Sequence, residues 1–320
     1  MDTTTLGRTG LNVSVAVLGA GGSSRLGMKN GATQSQAAEL VRMAIDHGIT
    51  MIDTAANYGT EGAVGEGVEG RRDQVVISTK ARCHKPGTPL DSLDFVTREE
   101  LRGSVETSLK NLRTDYVDIL HLHGIRPHQY DYCLNELVPE LQRLQEEGKI
   151  RFLGITEAFG VDLEHVTMKR AVADGVWDVL MLGFNYVNHS NTRQVLPAAQ
   201  EKNLGVMAMY AVRGALARKE TLDNLVRELI EKGEVSADIA GEVGDLTSLL
   251  VQGGVAGTLT EAAYRFCRHA PGISVVLTGT GKFQHLEQNI ASIKGAPLPA
   301  EVTEKLHRMF GNVVSATGDL

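Results

Sequence analysis

Cysteine is scarce in this sequence. Cys83, Cys133 and Cys267 lie far apart, and no Cys-x-x-Cys pair occurs. An odd, scattered set argues against a disulfide framework and fits reduced thiols. Long apolar runs are missing as well: none approaches the ~18–20 residues a membrane helix needs. The opening MDTTTLGRTG lacks the basic start and apolar stretch of a secretory signal, so a cytoplasmic protein is expected. Positive charge is in deficit, with a formal net charge of −7 and a pI near 5.8. That balance argues against nucleic acid or an anionic membrane surface as partner. It leaves room for a small anionic cofactor, which needs only a local cluster of donors.

What is present is ordinary soluble-protein composition, 42% hydrophobic and 22% charged over 320 residues, enough for a sizeable core. Eight short apolar runs recur along the chain: VSVAVLG (13–19), ITMIDT (49–54), QVVISTK (74–80), YVDILHLH (116–123), IRFLGIT (150–156), DVLMLGFN (178–185), GVMAMYA (205–211) and ISVVLTG (273–279). Continuous apolar runs suit parallel strands covered by helices. Helix signals fill the gaps. Thr33 with Gln36 and Thr97 with Glu100 form capping-box patterns, and Gly48 closes the first helix. CLNELVPELQRLQEEGK and LEHVTMKRAVADG read as further amphipathic helices. Eight strand–helix units with no linker predict one α/β domain, a (β/α)8 TIM barrel over 1–320. Residues 213–257, between the seventh and eighth runs, exceed a standard crossover and form either a lid or an inserted packing element.

Active sites of such barrels lie at the carboxyl ends of the strands. Three neighbouring runs end there on chemistry: Asp53, Lys80 and His123, with Tyr58 on the loop after Asp53. Singly, Asp53 reads as a cap or turn residue and Tyr58 as a packed loop aromatic. Together they make a coherent set. A lysine closing a strand needs a partner, and Asp53 supplies one. The ammonium should lower the pKa of the Tyr58 phenol. Tyr58 could then protonate a carbonyl oxygen that His123 holds, while a cofactor delivers hydride. His121 and His123 share one strand face. Their spacing also permits a metal-dependent barrel hydrolase, with His121 otherwise a deeper core or supporting residue.

These residues resemble the aldo-keto reductase family. LGRTGLNVSVAVLGAGG is similar to its N-terminal hairpin and first strand, IDTAANYG to its Asp–Tyr motif, VISTK to its lysine strand and YVDILHLH to its histidine strand. GKIRFLGIT resembles its fifth strand and VVLTGTGKFQHLEQNI its cofactor segment, in the family's order, over about residues 5–310. The resemblance implies a catalytic tetrad of Asp53, Tyr58, Lys80 and His123. It implies NADPH, with NADH as the alternative, bound without a Rossmann domain. Gly21 and Gly22 would allow close approach at the first loop. Independently, free N–H groups at Gly279, Thr280, Gly281 and Lys282 could hold a phosphate at a helix start. Gln288 and Asn289 match adenine contacts, and Lys282 and His285 could reach a 2′-phosphate.

The chain also departs from the family. Thr156-Glu157 replaces the Ser-Asn pair that meets the nicotinamide carboxamide, and Met181 takes the place of a glutamine. Either Met209 or Tyr210 holds the position of the aromatic that stacks on the ring. These changes keep a non-catalytic, NADP-binding regulatory protein of the same fold as an alternative to an NAD(P)H-dependent enzyme acting on a small carbonyl or alcohol. Substrate contacts are expected from loops 21–30, 124–132 and 213–257. Arg25, Arg126, His128 and Tyr130 are the candidates, and Arg25 with Arg126 would favour an acidic substrate.

Overall fold

A computed structural model of the chain describes residues 1–319. An antiparallel hairpin comes first, β1 (Thr3–Thr5) with β2 (Asn12–Ser14). Eight parallel strands follow: β3 (Ala16–Gly19), β4 (Met51–Asp53), β5 (Val76–Ala81), β6 (Val117–Ile125), β7 (Ile150–Glu157), β8 (Val179–Gly183), β9 (Gly205–Met209) and β10 (Val275–Thr278). They close in sequence order, with β10 pairing back onto β3. The expected strand 13–19 is divided. Val13 and Ser14 belong to the hairpin, and the barrel strand begins at Ala16.

The helices cover the outside: α1 (Gln34–Asp46), α2 (Glu61–Gly67), α3 (Arg98–Leu112), α4 (Tyr130–Tyr132), α5 (Val138–Glu146), α6 (Val166–Asp174), α7 (Val195–Glu201), α8 (Lys219–Glu231), α9 (Ala237–Val243), α10 (Leu259–Arg268), α11 (Phe283–Lys294) and α12 (Ala300–Phe310). Both expected capping boxes form, at Thr33–Gln36 and Thr97–Glu100. The helix expected from Leu163 starts instead at Val166. The carboxylate of Asp162 accepts from the N–H groups of Val166 and Thr167 and fixes the start there.

Side chains alternate across each strand, so every second residue faces the barrel axis. Val17, Met51, Ile119, Val179, Met181, Met207 and Val275 pack there, and Leu6, Leu11 and Val13 of the hairpin join them as a plug. Counting on by twos toward the carboxyl ends brings Asp53 after Met51, and His121 then His123 after Ile119. Ser78 and Lys80 follow Val76, which packs against the same cluster. The polar groups of three strands thus converge above an apolar plug.

Residues 213–257 form a packing element tied to the end of the chain. Leu222, Leu225 and Leu229 of α8 are buried. Glu234 accepts from the N–H groups of Val314 and Ser315, Arg308 of α12 pairs with Glu242 of α9, and Ala215 donates to the Gly318 carbonyl. No helix of the described residues is long and apolar enough to cross a membrane.

Candidate active site

Lys80 and Asp53 form the buried centre of the site. The Lys80 ammonium donates to Asp53 Oδ2 at 2.5 Å and to the Thr54 carbonyl at 2.7 Å, and Ser78 Oγ donates to Asp53 Oδ1 at 2.8 Å. Burial lifts the Asp53 carboxyl above its ordinary range, less than it would alone, because Lys80 and Ser78 hold the anion. Burial opposes the Lys80 charge, but the Asp53 carboxylate and Tyr58 together more than offset it and hold the ammonium above its ordinary value. The pair stays ionic.

Tyr58 lies on the short helical turn Ala56–Tyr58 after β4, with its ring centre 5.2 Å from the Lys80 nitrogen. Its hydroxyl is 3.4 Å from His123 Nε2, and the two rings meet edge to face. The expectation of an acidified phenol is overturned. Burial raises the Tyr58 pKa above its usual value, and the opposing pull of Lys80 does not restore it. Burial is the dominant cause, and Asp53 adds to it by opposing the pull of Lys80. His123 is held well below the ordinary imidazole range by burial and then by Lys80, and so is His121 beneath it. Both rings are neutral. His121 is fully buried, and its nitrogens find no partner among the described residues. No group of three or more His, Cys, Asp or Glu among the described residues could hold a metal, so the hydrolase alternative has no third ligand.

The first loop closes over Tyr58. A Cβ on Gly21 would lie 2.5 Å from Tyr58 Cε2, so only glycine lets the chain pass this close. Gly22 beside it is exposed. Arg25, with φ 47°, donates to the Tyr58 carbonyl at 2.8 Å, so it buttresses the tyrosine loop. Of the other substrate candidates, Arg126 is half-buried and His128 is exposed. Tyr130 does not belong to the rim. It is fully buried in the core between helices and barrel, where its hydroxyl accepts from Trp177 and Arg170 covers its ring.

The opposite wall differs from expectation. Thr156 faces inward, and its hydroxyl accepts from the Gly124 N–H at 2.6 Å. Glu157 turns the other way. It takes the Nδ1 hydrogen of His165 at 2.9 Å and the N–H of Gly183 at 2.8 Å. Met181 is not at the strand end where a glutamine was expected. It is packed into the barrel core, and the terminal inward residue of β8 is Gly183. A Cβ there would lie 2.2 Å from the Phe159 ring, which occupies the space a side chain would need. Of the two stacking candidates, Met209 packs toward the barrel interior, while Tyr210 presents its ring at the mouth, 39% exposed. Tyr210 has φ 63°, a costly conformation for a bulky residue. Phe159 stacks between His165 and Tyr210 at 5.6 and 5.9 Å, and the Arg213 guanidinium lies 4.1 Å from the Tyr210 ring centre. Sequence reading missed this arrangement; an ionisable Glu157 where an amide was expected is the signal that pointed to it.

After β10, the loop carrying Gly279, Thr280 and Gly281 leads into α11. The Lys282 N–H goes to Thr280 Oγ1, and no side chain caps the helix. The first-turn N–H groups therefore lack intrahelical partners. Lys282, His285 and Gln288 are exposed beside them, and the Asn289 amide donates to Thr278 Oγ1. This donor set suits a phosphate.

An eight-stranded parallel barrel with an ionic pair, a phenol and a neutral imidazole converging at its carboxyl end defines a class of oxidoreductase scaffold. Residues 17–309 match the Aldo/keto reductase family, and the chain belongs to that family. It is 31% identical over 299 residues to L-galactose dehydrogenase of Arabidopsis thaliana, spanning 90% of this chain and 86% of that one. The holo form of the aldo-keto reductase AKR11C1 from Bacillus halodurans superposes with a TM-score of 0.73 at 21% identity, covering 99% and 97% of the two chains. An aldo/keto reductase from Klebsiella pneumoniae, solved with NADP and acetate, gives 0.67 at 24% identity, covering 96% and 94%.

Proposed function

We propose that this chain interconverts a small carbonyl compound and its alcohol, with NADPH as hydride partner and Tyr58 as the proton donor and acceptor. One observation carries the reading: Asp53 and Tyr58 from β4 and its turn, Lys80 from β5 and His123 from β6 converge at the carboxyl end of the barrel. When bound, the nicotinamide supplies or accepts a hydride at the carbonyl carbon. The uncapped start of α11, with Lys282 and His285, is suited to its phosphates, and Gln288 and Asn289 lie one to two turns further on. Tyr210 offers the exposed ring beside the pocket.

In the reducing direction the carbonyl oxygen gains a proton from Tyr58 Oη as negative charge develops on it. The raised Tyr58 pKa keeps the phenol protonated and ready at neutral pH. Neutral His123 can donate a second hydrogen bond to the same oxygen. Lys80, fixed by Asp53, stabilises the phenolate left behind until water returns its proton. In the oxidising direction the same groups run in reverse. The similarity to L-galactose dehydrogenase makes sugars a natural first set of alcohols to assay.

Two measurements test this. Purified protein should consume NADPH with generic aldehydes, and Tyr58→Phe should cost about 10²–10⁴-fold in rate, the span expected for positioned acid–base catalysis. NADPH binding, followed by fluorescence, should survive that substitution. Binding without turnover by the unsubstituted protein would favour the regulatory alternative, which the engaged Thr156 and Glu157 side chains keep alive.

A further inference from the structure

The loop after β3 touches two working parts of the pocket, the Tyr58 turn and the loop into α11. Its root is tied to β4, where the Ala20 N–H donates to the Asp53 carbonyl at 2.7 Å. On the tyrosine side, Gly21 lies against the Tyr58 ring, and the Arg25 guanidinium donates to the Tyr58 carbonyl at 2.8 Å. On the other side the contact is backbone on backbone. A Cβ on Gly281 would lie 2.5 Å from the Gly27 Cα, 2.6 Å from the Gly27 nitrogen and 3.3 Å from Ser24 Cβ. A Cβ on Gly279 would lie 2.9 Å from the Gly19 carbonyl oxygen. Two glycine pairs thus seat the loop after β10 directly on the loop after β3, with no side chain between them to absorb a shift. That same loop after β10 presents the free N–H groups at the start of α11.

The segment between the two contacts is strained. Arg25 and Leu26 have φ 47° and 55°, two left-handed residues in succession, and neither is glycine. Such conformations are costly and persist only where their surroundings enforce them, most often at working sites. The surroundings here are plain. Leu26 is 2% exposed, and Arg25 is anchored on the Tyr58 carbonyl. The Gly27 N–H donates to the Ser24 carbonyl at 2.9 Å, and the Met28 N–H to the Arg25 carbonyl at 3.1 Å. From the Gly27–Gly281 contact to the Arg25–Tyr58 hydrogen bond the chain is short and has no slack.

We propose that Arg25 is a positioning residue for Tyr58, and that its loop couples the phosphate site at the start of α11 to the phenol. Filling the phosphate site fixes Gly281 against Gly27, and Arg25 passes that restraint to the turn that holds Tyr58. This rests on the NADPH reading above and goes beyond it, because it makes the placement of the proton donor depend on cofactor loading. Arg25 takes no part in proton transfer.

Hydrogen exchange of the full chain, with and without adenosine 2′,5′-bisphosphate, tests the coupling. This probe carries phosphates but no nicotinamide, so it brings no ring to Tyr58. In the unsubstituted protein it should slow exchange over residues 279–286. It should also slow residues 55–60, where the Tyr58 N–H is bonded to the Ala55 carbonyl, by about fivefold or more, the lower end of coupling between sites. Arg25→Ala should keep the first effect and lose the second. At saturating NADPH its kcat should fall about tenfold or more through misplacement of the acid, and Arg25→Lys, which keeps a cationic donor, should regain most of that. Slowing of 279–286 alone in the unsubstituted protein overturns the coupling and leaves the NADPH reading standing. Slowing of 55–60 that persists in Arg25→Ala, or an unchanged kcat in that variant, overturns the role of Arg25. If the probe slows neither segment, the phosphate site and the coupling fall together.

Discussion

The carboxylate of Glu157 and the imidazole of His165 meet at 2.9 Å in a fully enclosed pocket behind Tyr210. Both side chains are buried, and the same carboxylate takes the Gly183 N–H. His165 in turn stacks on Phe159, and Phe159 on Tyr210. The pair thus holds, through one intervening ring, a tyrosine whose backbone would not choose its own conformation. Asn185 adds a second hold, donating from its amide to the Tyr210 carbonyl.

Glu157→Ala should therefore do two things. It strands the His165 ring and the Gly183 N–H inside the protein, and removing one member of a buried pair costs about 3–5 kcal/mol. It also loosens Tyr210, so NADPH binding should weaken. Denaturant unfolding and a fluorescence titration read the two effects separately. Glu157→Gln keeps an acceptor for Gly183 and should lose less, about 1–3 kcal/mol. Equal stability of the alanine variant and the unsubstituted protein would remove the structural role argued for the pair.

How much of this was readable beforehand follows from where residues sit in the strands. Asp53, Lys80 and His123 each end an apolar run, so their polarity stood out and their common placement followed. The wall beyond them did not stand out. DVLMLGFN is apolar on both faces, because helices cover one side and the plug fills the other. Nothing in that run marks Gly183 rather than Met181 as the last inward residue. The phenol of Tyr58 was misjudged for a different reason. A sequence lists the charged neighbour but not the burial, and burial decides the direction here. Tyr130 was assigned to the pocket because it follows a loop; its enclosure by Trp177 and Arg170 comes from segments some 40–47 positions away.

The Asp53–Lys80 pair should behave as a unit. Lys80→Met leaves a carboxylate in a dry site, and Asp53→Asn leaves an ammonium there. Each should cost about 3–5 kcal/mol of stability. The double substitution Asp53→Asn with Lys80→Met should recover much of that loss, since no lone charge remains. Activity should not return with it, because nothing then stabilises the Tyr58 phenolate. Denaturant unfolding of the four proteins, beside NADPH turnover, gives the cycle. Additive single effects would show that the two side chains do not depend on one another.

The pH behaviour follows from Tyr58 and His123. The phenol titrates above the ordinary value of about 10, because burial outweighs Lys80. A raised acid pKa leaves the protonated form intact at lower pH. Reduction should therefore show a flat kcat/KM across neutral and mildly alkaline pH, and fall only beyond the usual tyrosine range. Oxidation needs the phenolate, so it should climb through the same range without a plateau. His123, kept neutral by burial and Lys80, should add no inflection near the ordinary histidine value of about 6.5. A limb at that pH, lost in His123→Asn, would show that the imidazole carries charge in the working enzyme.

Gly21 offers a test that leaves every polar group in place. Its φ is not in the left-handed region, so alanine suits the backbone, and the nearest obstacle is the Tyr58 ring at 2.5 Å from the new methyl. The ring must move, and with it the hydroxyl that faces His123. Displacing a reacting group by about 1 Å can cost roughly 10²-fold in rate. Gly21→Ala should accordingly lose one to two orders of magnitude in kcat, while its denaturant midpoint falls only slightly, since the loop lies near the surface and can yield. Because Tyr58 Oη and the carbonyl oxygen must meet, the loss should appear with small and large aldehydes alike. A defect confined to bulky substrates would instead mean that the methyl narrows the entrance and leaves the phenol where it is.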